Sequence, residues 1–142
     1  MKSSPVVMNH FTTVHTSFLI DFTFTNNITI LTGDSGTGKT AAFSFIKERM
    51  AIDWDILCLN YLDNQSCIKN LLSQVKSKLI VIDNADILLD DDTRKYISLD
   101  DKNQYLIIGR NPRNLFTSKD NLFELASEKV GEQTKFTIKP YL

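Results

Sequence analysis

The stretch that most constrains this chain is Gly33-Asp34-Ser35-Gly36-Thr37-Gly38-Lys39-Thr40. It fits the pattern G-x-x-x-x-G-K-[ST] at every fixed position. The run before it, Ile28-Thr29-Ile30-Leu31, is apolar and β-branched and reads as a buried strand. The run after it, from Thr40 to Met50, reads as a helix with Ala42, Phe43, Ile46 and Met50 on one face. A strand feeding a glycine loop that opens a helix can fold in few ways. Glycines let the backbone take positive φ and curl without a Cβ in the way. The curled N–H groups then form a concave nest at a helix N-terminus, where the peptide dipoles also favour an anion. In such a loop Lys39 reaches β- and γ-phosphates, and the Thr40 hydroxyl ligates Mg²⁺.

With these residues the chain resembles the P-loop NTPase superfamily. The resemblance implies nucleotide-binding roles for Gly33, Asp34, Ser35, Gly36, Thr37, Gly38, Lys39, Thr40 and Ala41. A second motif adds to it. Leu79-Ile80-Val81-Ile82-Asp83 resembles Walker B, four apolar residues with an acid at the strand end. That acid holds Mg²⁺ directly or through water, so the metal ligands expected are Thr40 and Asp83. The catalytic residues expected are Lys39, Asp83 and Asp86. In many ATPases of this type a glutamate follows the Walker B aspartate and polarises the attacking water. Here that position is Asn84, an amide that cannot accept a proton. Asp86 is the nearest alternative base, and equally reads as a helix-cap or loop acid. Arg110 follows the fourth strand, where related ATPases carry a polar sensor of the γ-phosphate. Arg110 or Arg113 would also suit an arginine finger, or be solvated loop residues.

The apolar runs lay out the rest. Phe18, Ile20, Phe22 and Phe24 alternate with Leu19, Asp21 and Thr23, and Phe11 to His15 reads as an earlier strand, with a turn near Thr16-Ser17. Further strands are expected over 54–60, 78–83, 104–109 and 135–139, with helices over 64–76 (capped by Asp63) and 91–98. Residues 118–128 suit helix and strand alike. Strands alternating with helices imply a doubly wound parallel sheet. The resemblance, to ATPases of the additional-strand (AAA, ABC and RecA-like) type, sharpens this to an α/β, three-layer P-loop NTPase. Its sheet would be mostly parallel, with core order 5-1-4-3-2, preceded by a short antiparallel β pair. That pair resembles the start of ABC-type and RecF-like ATPases, but no Leu-Ser-Gly-Gly signature is present.

The length of 142 residues suits one domain spanning 1–142. The net charge of −1, with signs well mixed, gives no basic footprint for nucleic acid. Apolar runs fall short of a membrane span, and the N-terminus lacks a signal-peptide core, so a cytoplasmic protein is expected. Cys58 and Cys67 match no zinc or redox spacing. Asp90-Asp91-Asp92 and Asp100-Asp101 lack the spacing of a calcium loop. His10 and His15 have no nucleophile near them in sequence.

The function expected is Mg-ATP binding with slow or partner-dependent hydrolysis, with ATP and Mg²⁺ as cofactors. The alternatives are a nucleotide-dependent sensor without catalysis, which Asn84 favours, and a small-molecule or nucleotide kinase, which the scattered Arg94, Arg110 and Arg113 disfavour. The absence of Asn-Lys-x-Asp argues against guanine. A protein partner or a second copy of the chain is compatible with either of the first two readings.

Overall fold

The computed structural model describes residues 4–32, 38–60, 67–109 and 119–141, with the side chains of residues 86, 87 and 119 excepted. Eight strands form one sheet in the order β1-β2-β8-β7-β3-β6-β5-β4. They are β1 (His10–His15), β2 (Phe18–Thr23), β3 (Ile28–Thr32), β4 (Ile56–Leu59), β5 (Leu79–Ile82), β6 (Gln104–Ile108), β7 (Leu122–Val130) and β8 (Gln133–Pro140). Neighbours from β7 through β3, β6 and β5 to β4 run parallel, as do β2 and β8, whereas β1·β2 and β7·β8 are antiparallel hairpins. Four α-helices accompany the sheet: α1 (Lys39–Met50), α2 (Ile68–Ser73), α3 (Ala85–Leu88) and α4 (Asp91–Leu99).

The expected fold class is therefore corrected. In place of an α/β, three-layer P-loop NTPase with a mostly parallel sheet, the chain is sheet-dominated, a curled mixed half-barrel with few and mostly short helices. The reason lies in two hairpins. Residues 122–128 form no helix: β7 pairs with β8 from Phe123↔Pro140 to Val130↔Gln133, and only a single 3-10 turn, Lys119–Asn121, precedes it. Gly131, at φ 65°, makes the turn between them, a conformation that costs glycine little. β8 in turn accepts the β1–β2 hairpin. The chain thus spends its ends on sheet rather than on covering helices.

β5 shows why the centre of the sheet is stable. All four of its residues are buried. Leu79 and Val81 face a cluster containing Leu31, Ala42, Phe43, Ile46, Leu106, Ile108, Phe123 and Phe136. Ile80 and Ile82 face the other, with Ile30, Ile68, Leu72, Leu88, Ile97, Tyr105 and Ile107. A strand buried on both faces needs a continuous apolar run rather than alternation. Each such side chain contributes about 1.5–3 kcal/mol by leaving water. The α1 side of the sheet is thus filled by Ala42, Phe43 and Ile46, the spacing that the sequence shows.

The acidic stretches have structural roles. Asp90 caps α4, its Oδ1 accepting the Thr93 N–H at 2.8 Å. Asp100 accepts from the Tyr105 hydroxyl at 2.6 Å and from Asn103 Nδ2 at 2.9 Å. Burial and the neighbouring Asp100 carboxylate hold the Tyr105 phenol far above its ordinary pKa, so it stays a donor. No group of three or more metal-ligating side chains occurs among the described residues. No helix of the described residues is long and apolar enough to cross a membrane.

The outer strands carry one titratable link. Asp21 on β2 pairs with His10 on β1 and, at 3.3 Å, with Lys135 on β8. The hydrogen bond from His10, then Lys135, outweighs burial and holds the Asp21 carboxyl below its ordinary 3.8. A carboxylate with a depressed folded pKa stabilises the fold above the unfolded value and loses that contribution as pH falls through the folded one. We expect Asp21→Asn to cost about 0.2–1 kcal/mol at pH 5, the size of an exposed pair. The gap from wild type should close below pH 3.8. Thermal melts across that range, compared for the two proteins, check it.

Candidate functional site

β3 delivers the chain to the glycine stretch. Ile30, Leu31 and Thr32 are buried at its end. Residues 33–37, and with them Gly33, Asp34, Ser35, Gly36 and Thr37, lie outside the described residues, as do Arg110, Arg113 and Asp63. The chain is described again at Gly38, which stands at φ 97° as the N-cap of α1. Its carbonyl accepts the first bond of the helix, from the Ala42 N–H at 2.9 Å. Among the described residues no side chain caps this helix end, and no acid occupies its first turn. The first-turn amides and the positive end of the dipole are what such an end offers a ligand. Lys39 opens α1 with only 7% of its surface exposed. Thr40 is exposed and Ala41 half-buried.

The register of the parallel strands brings the second motif to the same edge. Leu59, Ile82, Ile107, Ile30 and Leu122 form one row across β4, β5, β6, β3 and β7. Asp83 stands one residue beyond that row, as Leu31 and Ile108 do. Two strand spacings, roughly 10 Å, separate its backbone from β3. Alternation from Val81 brings Asp83 to the sheet face that α1 covers. Gly38 is at this edge too. The atoms nearest to it belong to Leu125 and Phe136, and Leu125 directly follows Glu124, the register partner of Thr32. The start of α1, where Lys39 stands, and Asp83 therefore share one edge and one face of the sheet, with β6 between β5 and the strand β3 that leads to the helix.

Asp83 is half-buried; its N–H donates to the Leu59 carbonyl at 2.9 Å, and its Oδ1 accepts the Asn84 N–H at 2.9 Å. Asn84 takes the left-handed conformation, φ 53° and ψ 40°, as the N-cap of α3. Asparagine is among the few residues that adopt it readily. Asp86 is the second residue of α3. The turn thus carries Asp83, Asn84 and Asp86 in sequence, of which Asp83 is described to its side chain at the strand edge.

Two residues of this region escape a reading of motifs. Phe136 and Leu125, on the β7–β8 hairpin, wall the glycine turn. A Cβ built on Gly38 would meet Phe136 Cε1 at 3.0 Å and Leu125 Cδ2 at 3.4 Å. Alternation in Lys135-Phe136-Thr137-Ile138 puts Phe136 on the inner face of a strand, but says nothing of a partner some hundred residues earlier. The histidines stand apart: His10 on the outer sheet, and His15 bridging β1 to Glu48 of α1 at 2.5 Å. Cys58 and Cys67 are free, and burial raises the Cys58 thiol to about 12.

Comparison with protein-family models, with curated proteins and with solved structures found no match. Together with the sheet-dominated mixed fold, this corrects the resemblance to the P-loop NTPase superfamily, which is carried no further. What remains is the chemistry of the residues themselves.

Proposed function

We propose that the chain binds Mg-ATP at residues 33–40 and hydrolyses it slowly or only with a partner. Lys39 pairs with the β- and γ-phosphates, Thr40 and Asp83 hold the metal, and the backbone of Gly33 to Ala41 cradles the phosphates, with Arg110 a further contact. The observation that carries the reading is the meeting of two features at one sheet edge. A helix opens there with a left-handed glycine and a buried lysine, and a strand-end carboxylate shares its face. The reading includes a cytoplasmic protein, in keeping with its two free cysteines.

The test is isothermal titration with ATP, ADP and GTP, with and without Mg²⁺, followed by phosphate release from the same sample. Saturable Mg²⁺-dependent ATP binding is expected; no binding of any of the three contradicts the proposal. Asp83→Asn should weaken the Mg²⁺ dependence more than the binding itself, because the carboxylate acts on the metal and the amides act on phosphate. Titrations of that variant at zero and millimolar Mg²⁺ check this.

A second reading, a nucleotide-dependent sensor without catalysis, is favoured by Asn84. The residue after Asp83 is an amide held in a left-handed turn, a poor site for a glutamate base. In that case ATP binds, no phosphate is released, and the response is association with a protein partner or a second copy.

A further inference from the structure

We propose that Phe136 is a positioning residue for phosphate binding: its ring is the wall against which the glycine turn at Gly38 is moulded. The inference rests on the Mg-ATP reading and adds a role for the C-terminal hairpin. Three observations support it. Phe136 is 6% exposed, and its Cε1 and Cζ lie 3.0 and 3.5 Å from where a Gly38 Cβ would be. At the first distance a Cβ on residue 38 would make the ring give way by a few tenths of an ångström, so the ring leaves no room for a side chain there. Gly38 itself is left-handed and begins α1, so its φ sets the direction of the first-turn amides. Finally, the ring is tied to α1 by a second route. Phe136 stacks on Phe18 with centroids 5.9 Å apart, and Phe18 stacks on Phe45 of α1 at 5.2 Å. The wall and the helix it orients are thus held in register by one aromatic stack.

The contact is long-range and apolar, and a ligand would not touch it. Its effect on binding comes through the angle at which the amides meet the phosphates. One charge-assisted hydrogen bond lost by misalignment weakens Kd by about 10- to 100-fold. Phe136→Leu keeps the site apolar while removing the flat wall.

The experiment titrates purified wild type, Phe136→Leu and Phe22→Leu with ATP and with inorganic pyrophosphate, both with Mg²⁺, and records a thermal melt of each. Phe22 is as deeply buried in the same cluster, meets Phe24 edge-on and is not among the atoms nearest Gly38. Both variants should melt earlier than wild type. Only Phe136→Leu should lose affinity, by roughly 10- to 100-fold for ATP and pyrophosphate alike. Equal loss in the two variants, or unchanged affinity in folded Phe136→Leu, overturns the proposal. Should Phe136→Leu fail to fold, Leu125→Ala, half-buried at 3.4 Å from the same point, takes its place with the same two outcomes. Failure of wild type to bind either probe counts instead against the Mg-ATP reading itself.

Discussion

Replacing Lys39 by alanine should leave a folded protein that binds ATP roughly 10- to 100-fold more weakly. The magnitude follows from the contact removed. A hydrogen bond between charged groups contributes about 1.5–3 kcal/mol, and each 1.4 kcal/mol is about tenfold in Kd. The fold should tolerate the change because alanine is the strongest helix former, so α1 keeps its first turn. Loss of binding with an unshifted melting temperature therefore separates a ligand role from a structural one. Isothermal titration beside a thermal melt reads both. Unchanged ATP affinity would remove Lys39 from the site.

The largest gain is expected from Asn84→Glu. A general base contributes about 10²–10⁴-fold where the water is already held, and Asn84 follows the Asp83 carboxylate at the strand edge. The backbone works against the new side chain. Residue 84 stands at φ 53°, and a glutamate there costs about 1–2 kcal/mol. The variant should accordingly be less stable than wild type and still turn over faster. Asp86 gives the competing account, since a base at that position would already make wild type a brisk enzyme. Steady-state phosphate release from wild type, Asn84→Glu and Asp86→Asn separates the two. Brisk wild-type turnover lost only in Asp86→Asn would contradict slow hydrolysis. ATP bound by all three with no release would favour the sensor.

Local signals in this chain were legible, and so was the order of the parallel strands β3-β6-β5-β4; the way the hairpins extend and curl the sheet was not. The apolar runs that become β3, β4, β5 and β6 stand out because a strand buried on both faces cannot hide its composition. Ala42, Phe43 and Ile46 mark α1 by helical spacing alone. Leu122 to Ala126 carries apolar residues at both periods, and only pairing with β3 and β8 makes it a strand. Strand preference is largely a property of neighbours, and those neighbours lie far away in sequence. The same limit undid the fold class: no periodicity says that a terminal hairpin will extend a sheet rather than leave a helix over it. Gly131, with its positive φ between Val130 and Gln133, was the one local cue to that hairpin. Within the candidate site, Lys39 and Asp83 announce themselves by motif, while the Phe136 wall depends on contacts that only the folded sheet creates.

The central claim is that triphosphate binds where α1 begins. Amide chemical-shift mapping of the ¹⁵N-labelled full chain, titrated with Mg-ATP, tests it most directly. The account predicts saturable shifts concentrated at Thr32, Gly38 to Ala41 and Asp83-Asn84, with the far edge around Trp54 and Leu99 undisturbed. Shifts centred on that far edge, or none at millimolar Mg-ATP, would contradict it.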